Sequence, residues 1–172
     1  MKKVVFIGYM GSGKSIVAKN VASKLGFSCL DLDEMIEKKS GMAIDKIFST
    51  KGEIYFRKLE HELFLEVLNN SDDLIISTGG GTPCYYNNHE HLNGENVTSI
   101  YLRASIDTLV TRLNTEKQNR PLVANLGDDE VKEFIAKHLF DRSFYYNQAT
   151  FKVDVDDKSI ATIVTEITEL LT

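Results

Sequence analysis

The segment Gly8-Tyr9-Met10-Gly11-Ser12-Gly13-Lys14-Ser15 constrains this chain more than any other. It reads G-x-x-x-x-G-K-[ST]. It stands between an unalternating apolar run, Val4-Val5-Phe6-Ile7, and a helical pattern stopped by Gly26. Glycines at these spacings let consecutive backbone N–H groups turn inward around an anion, and the helix behind adds the positive end of its dipole. Lys14 then offers a cation to the β and γ phosphates of a nucleoside triphosphate, and Ser15 offers a hydroxyl to its Mg²⁺. The candidate nucleotide cradle is Gly11, Ser12, Gly13, Lys14, Ser15 and Ile16. A dinucleotide fingerprint begun at Gly11 fails, because Ile16 fills its last glycine position.

The remaining pattern alternates. Short buried strands are expected over 28–32, 74–76 and 97–102, with a last one at Phe151, Val153 and Val155. Helices are expected from about 33 to 39 and over 52–69, 105–113, 130–145 and 160–171, with a small helical patch at Ile44, Ile47 and Phe48. Strands alternating with helices predict an α/β fold of three α/β/α layers, with a parallel sheet of five strands in one domain spanning 1–172. The polar stretch 115–129, with Pro121 and Gly127, predicts a mobile loop.

Charge narrows the class of partner. The 172 residues carry 20 Lys plus Arg against 25 Asp plus Glu, a net −5, which disfavours general binding of nucleic acid. No stretch approaches the roughly 20 apolar residues of a membrane span, and the run at Val4 is too short for a signal peptide, so a cytoplasmic location and no membrane partner are expected. Cys29 and Cys84 stand far apart without a CxxC pair, which argues against a disulfide framework or a cysteine-based zinc site. A monomer is the expected state. Among the cations, five are arginines: Arg57, Arg103, Arg112, Arg120 and Arg142.

Asp31-Leu32-Asp33 closes the second predicted strand, and alternation puts both carboxylates on one side, where the sheet's carboxyl end opens on a ligand crevice. The third strand ends Ile76-Ser77-Thr78 without an acid. Asp31 is therefore the candidate acidic partner of the metal shell. Asp33 has a competing use as the cap of the helix that follows.

These residues, with Phe56-Arg57 and Glu60, Gly79-Gly80-Gly81, Asn119-Arg120-Pro121-Leu122, and Arg142 followed by Tyr146 and Ala149, make the chain resemble the shikimate kinases over essentially its whole length. The resemblance implies a P-loop kinase fold with a lid at about 115–129 and a substrate-binding region at about 33–60. It implies transfer of the γ-phosphoryl group of ATP to the 3-hydroxyl of shikimate, with Mg²⁺ as cofactor. By it, Asp33 binds the substrate hydroxyls, Arg57 and Arg142 grip the carboxylate, and Gly79 to Gly81 approach the ring through backbone N–H groups. Arg120 sits on the lid over the phosphates, Arg112 lies by the adenine, and Phe48 and Phe56 form apolar walls. Lys14, Asp33 and Arg120 are then the catalytic candidates. Elementary chemistry agrees with the arginines: a planar guanidinium makes two parallel bonds to a carboxylate, which lysine cannot copy.

Overall fold

The computed structural model describes residues 2–116 and 122–172. Five strands form one sheet in the order β2-β3-β1-β4-β5, and every pairing is parallel. They are β1 (Lys3–Ile7), β2 (Ser28–Asp31), β3 (Leu74–Ser77), β4 (Val97–Arg103) and β5 (Phe151–Asp154). β1 is central and buried at all five positions, which explains its lack of polar alternation. Helices run between and after the strands: α1 (Lys14–Leu25), α2 (Leu32–Ser40), α3 (Ile44–Thr50), α4 (Glu53–Leu68), α5 (Ile106–Thr115), α6 (Asp128–Tyr146) and α7 (Ile160–Leu171). α1 packs on α7, α5 on α6, and α2 on α4. The result is the three-layer α/β/α fold.

Local chemistry sets the helix ends. Ser105 Oγ and Ser159 Oγ each accept a backbone N–H three residues on, at 3.1 Å, and so start α5 and α7. The α7 stripe of Ile163, Val164, Ile167 and Leu171 is buried as its periodicity requires. β1 connects toward one edge of the sheet and its neighbour β4 toward the other, which opens a crevice at their carboxyl ends.

Three sequence expectations change. β2 ends at Asp31, and Leu32 already belongs to α2, so strand alternation does not relate Asp31 to Asp33. The cap of α2 is Asp31 and not Asp33. The polar stretch before α6 is shorter than expected, because α6 begins at Asp128, and Val123 within that stretch is fully buried.

Candidate active site

The loop from Gly8 to Gly13 turns at the carboxyl end of β1. Gly13 takes φ 93° where it caps α1, a conformation that penalises a Cβ. Gly8 is tight for another reason: a Cβ there would stand 2.8 Å from the Leu102 carbonyl oxygen on neighbouring β4. Lys14 is buried, and its ammonium donates to the carbonyls of Gly8 at 2.7 Å and Tyr9 at 3.0 Å, so it lies across the mouth of the loop. A cleft of about 470 Å³ opens before it, bordered by Gly11, Gly13, Ser15, Ile16, Asp31, Asp33, Gly79, Gly80 and Arg112.

Ser15 Oγ donates to Asp31 Oδ2 at 2.8 Å and lies 3.4 Å from Ser77 Oγ at the end of β3. The other Asp31 oxygen accepts the backbone N–H groups of Asp33 at 3.0 Å and Glu34 at 3.2 Å. One carboxylate thus starts a helix and faces the P-loop serine. The donors gathered here are hard oxygens on the rim of a phosphate loop. That set fits Mg²⁺, which takes one or two protein oxygens and completes its shell with phosphates and water.

Asp33 sits one residue into α2, released from capping by Asp31. Burial first, then the negative charges of Asp31 and Glu60, push its carboxyl up to about 6, against the pull of Lys14. A carboxylate so placed is more basic than an ordinary one and still largely ionised at neutral pH.

Arg57 lies along α4. Its Nη1 donates to Glu60 Oε1 at 2.9 Å, and its guanidinium carbon stands 4.0 Å from the Tyr85 ring centroid. Its Nε is buried without a hydrogen-bond partner and lies 3.7 Å from Glu53 Oε1. Arg142 reaches the same region from α6. It lies over the Tyr9 ring at 5.5 Å and 3.4 Å from the Tyr146 hydroxyl, which donates to the Gly80 carbonyl at 2.6 Å.

Gly79, Gly80 and Gly81 explain themselves through these neighbours. None of the three has positive φ. Instead, a Cβ at Gly79 would meet Asp33 Oδ1 at 3.1 Å, one at Gly80 would meet Arg142 Nη1 at 3.0 Å, and one at Gly81 would press into the Arg57 guanidinium at 2.6 Å. Each glycine thus stands against a charged side chain, Gly79 against Glu60 as well as Asp33, and a Cβ at any of them would displace that side chain.

At the far end of the cleft, Arg112 Nη1 donates to the Gly11 carbonyl at 2.9 Å, beside the half-exposed Ile16. Phe48 and Phe56 pack with ring centroids 4.5 Å apart. Arg120 lies outside the described residues. The structure therefore brings Gly11, Ser12, Gly13, Lys14, Ser15, Ile16, Asp31, Asp33, Gly79, Gly80, Gly81, Arg57, Arg112 and Arg142 to the carboxyl end of the sheet. Tyr9, buried beneath Arg142 and 3.0 Å from His138 Nδ1 through its hydroxyl, was hidden as an unspecified position of the loop motif.

A phosphate loop, a serine–carboxylate pair and a glycine run that borders one raised carboxyl and two arginines define a P-loop phosphotransferase. The family model described as shikimate kinase matches residues 10–172. The shikimate kinase of Flavobacterium johnsoniae is 55% identical over 171 residues, 99% of each chain, and that of Flavobacterium psychrophilum is 48% identical over the same share. Among solved structures, shikimate kinase from Bacteroides thetaiotaomicron superposes with a TM-score of 0.91 at 35% identity, covering 99% of this chain and 98% of its own. Shikimate kinase from Acinetobacter baumannii, solved in complex with shikimate, gives 0.88 at 27% identity, with 99% and 93% covered. The chain belongs to the shikimate kinase family. It is an ATP-dependent phosphotransferase with an alcohol acceptor.

Proposed function

We propose that the chain forms shikimate 3-phosphate and ADP from shikimate and ATP as one kinase domain, 1–172, with the following division of labour. The observation that carries the reading is the pairing of each glycine in 79–81 with Asp33, Arg142 or Arg57. It leaves a shallow, Cβ-free floor ringed by two cations and one base, which matches a flat ring bearing one carboxylate and several hydroxyls. Arg57 and Arg142 grip the carboxylate. Backbone N–H groups of Gly79 to Gly81 contact the ring. Asp33 orients the reacting hydroxyl and accepts its proton as the oxygen bonds to phosphorus. The substrate-binding region is about 33–60.

On the nucleotide side, the N–H groups from Gly11 to Ile16 cradle the phosphates, and Arg112 lies by the adenine. Lys14 exchanges its two carbonyl partners for phosphate oxygens. Ser15 and Asp31 would hold Mg²⁺, which when bound neutralises charge on the transferring group. Arg120, from the segment between α5 and α6, adds a second cation there, and that segment serves as the lid that excludes water. The binding partners are the small molecules ATP and shikimate. Among the described residues no helix is long and apolar enough to cross a membrane. As a separate part of the proposal, the chain acts in the cytoplasm as a monomer.

Replacement of Arg142 by Lys tests the carboxylate grip without removing charge. The KM for shikimate rises by roughly one to two orders of magnitude while the KM for ATP holds, because a point charge cannot copy bidentate geometry. An unchanged shikimate KM in Arg142→Lys and in Arg57→Lys would refute the grip.

A further inference from the structure

Behind Arg57, a closed ring of buried polar contacts ties α4 to the segment that follows the glycines. Glu60, fully buried, accepts from Arg57 with Oε1 and from Thr82 Oγ1 with Oε2, at 2.9 Å each. The Thr82 carbonyl accepts from Asn88 Nδ2 at 2.9 Å, and Asn88 is also fully buried. Asn88 Oδ1 lies 2.6 Å from His61 Nδ1, and His61 is the next residue along α4 from Glu60. Because the Asn88 amide nitrogen is committed to a carbonyl, its oxygen faces His61, and Nδ1 of that ring must carry the proton. His61 is in turn stacked on Tyr86 at 5.4 Å. Tyr86 and Asn87 both hold positive φ, 51° and 57°, the pair of left-handed residues that turns Asn88 inward.

Thr82 is thus held at both its polar ends, by Glu60 and by Asn88. It follows Gly81, whose missing Cβ admits the Arg57 guanidinium. A turn with two left-handed residues that points a fully buried asparagine into this hydrogen-bonded ring is more than a turn needs for closure. We propose that Asn88 and His61 are positioning residues for the substrate carboxylate, acting through Thr82 and Glu60 to fix Arg57 against the glycine floor. This rests on the carboxylate role of Arg57 given above.

The test is steady-state kinetics on Asn88→Ala, His61→Leu and His61→Asn, in the full chain and again in an Arg57→Ala background. Asn88→Ala raises the shikimate KM about tenfold and moves the ATP KM less than about twofold, since a displaced guanidinium costs one substrate alone. His61→Leu shifts the shikimate KM in the same direction. His61→Asn, whose amide nitrogen stands where Nδ1 stood, restores it. In the Arg57→Ala background Asn88→Ala adds nothing, because its target is gone. Equal losses toward both substrates, full multiplication with Arg57→Ala, or His61→Leu and His61→Asn behaving alike would overturn the proposal. Should Asn88→Ala fail to fold, the two His61 variants decide it. An unchanged shikimate KM in Arg57→Ala itself would instead overturn the carboxylate reading.

Discussion

Asp33 is held above its ordinary value of 3.8, at about 6, by a site that buries it among acids. The sign of the consequence is fixed. The unfolded chain loses this proton near pH 4 and the folded chain only near pH 6, so ionisation penalises the folded state above pH 6 and the penalty vanishes below pH 4. Asp33→Asn therefore stabilises the metal-free, ligand-free protein at pH 7.5 by on the order of 3 kcal/mol and loses that gain by pH 4, while abolishing turnover. Denaturation at the two pH values checks this; an equal change at both contradicts it. Gly81 makes a second residue-scale case. Gly81→Ala inserts a methyl against the movable end of Arg57, so stability changes little while the shikimate KM rises about tenfold or more. Arg103 is the control among the arginines. It is exposed and makes a bidentate pair with Asp154, its register partner on β5, at 2.5 and 2.9 Å. Arg103→Ala lowers stability by less than about 1 kcal/mol and leaves both KM values in place. Thermal unfolding with kinetics on the same sample separates it from Arg57 and Arg142.

At the scale of elements, α2 shows how one boundary residue carries both fold and site. Asp31 caps the helix with one oxygen and faces Ser15 with the other. Asp31→Asn keeps a capping oxygen and loses the anion, so its Tm stays near that of the parent while the Mg²⁺ concentration for half-maximal rate rises. Asp31→Ala loses both and adds a stability loss of about 1 kcal/mol. Equal Mg²⁺ requirements in all three proteins would remove Asp31 from the metal shell. This boundary was the part of the chain least legible in sequence. The Asp31-Leu32-Asp33 step at a strand end does not reveal which aspartate caps the helix, and moving the boundary from one to the other exchanges capping for chemistry. The strands were easier to read, because runs such as Leu74 to Ile76 are too short and too apolar for a helix, and the observed strand adds only Ser77. α4 buries a stripe of Phe56, Leu63, Phe64 and Val67. Fully buried Glu60 lies within that stripe, because its charge is answered by Arg57, three residues earlier on the same helix, and by Thr82 from the segment after the glycines. Helical spacing offers the first partner; it carries no mark of the second.

For the whole molecule, the net −5 coexists with a cleft whose charged lining includes Lys14 and Arg112 and whose acceptor side borders Arg57 and Arg142. Three layers make this possible. The loop after β1, the cap after β2 and the glycines after β3 leave neighbouring strands at the same edge, while α4 and α6 deliver one arginine each from outside the sheet. The central claim is that these parts converge on one reaction. The most direct measurement is ³¹P NMR of the chain with ATP, Mg²⁺ and shikimate, beside a sample without shikimate. The account predicts a new phosphomonoester signal, coupled to the proton on carbon 3 of the ring, that grows as ADP appears and is absent from the control. ADP formed at the same rate in both samples, with no ester signal, would contradict it.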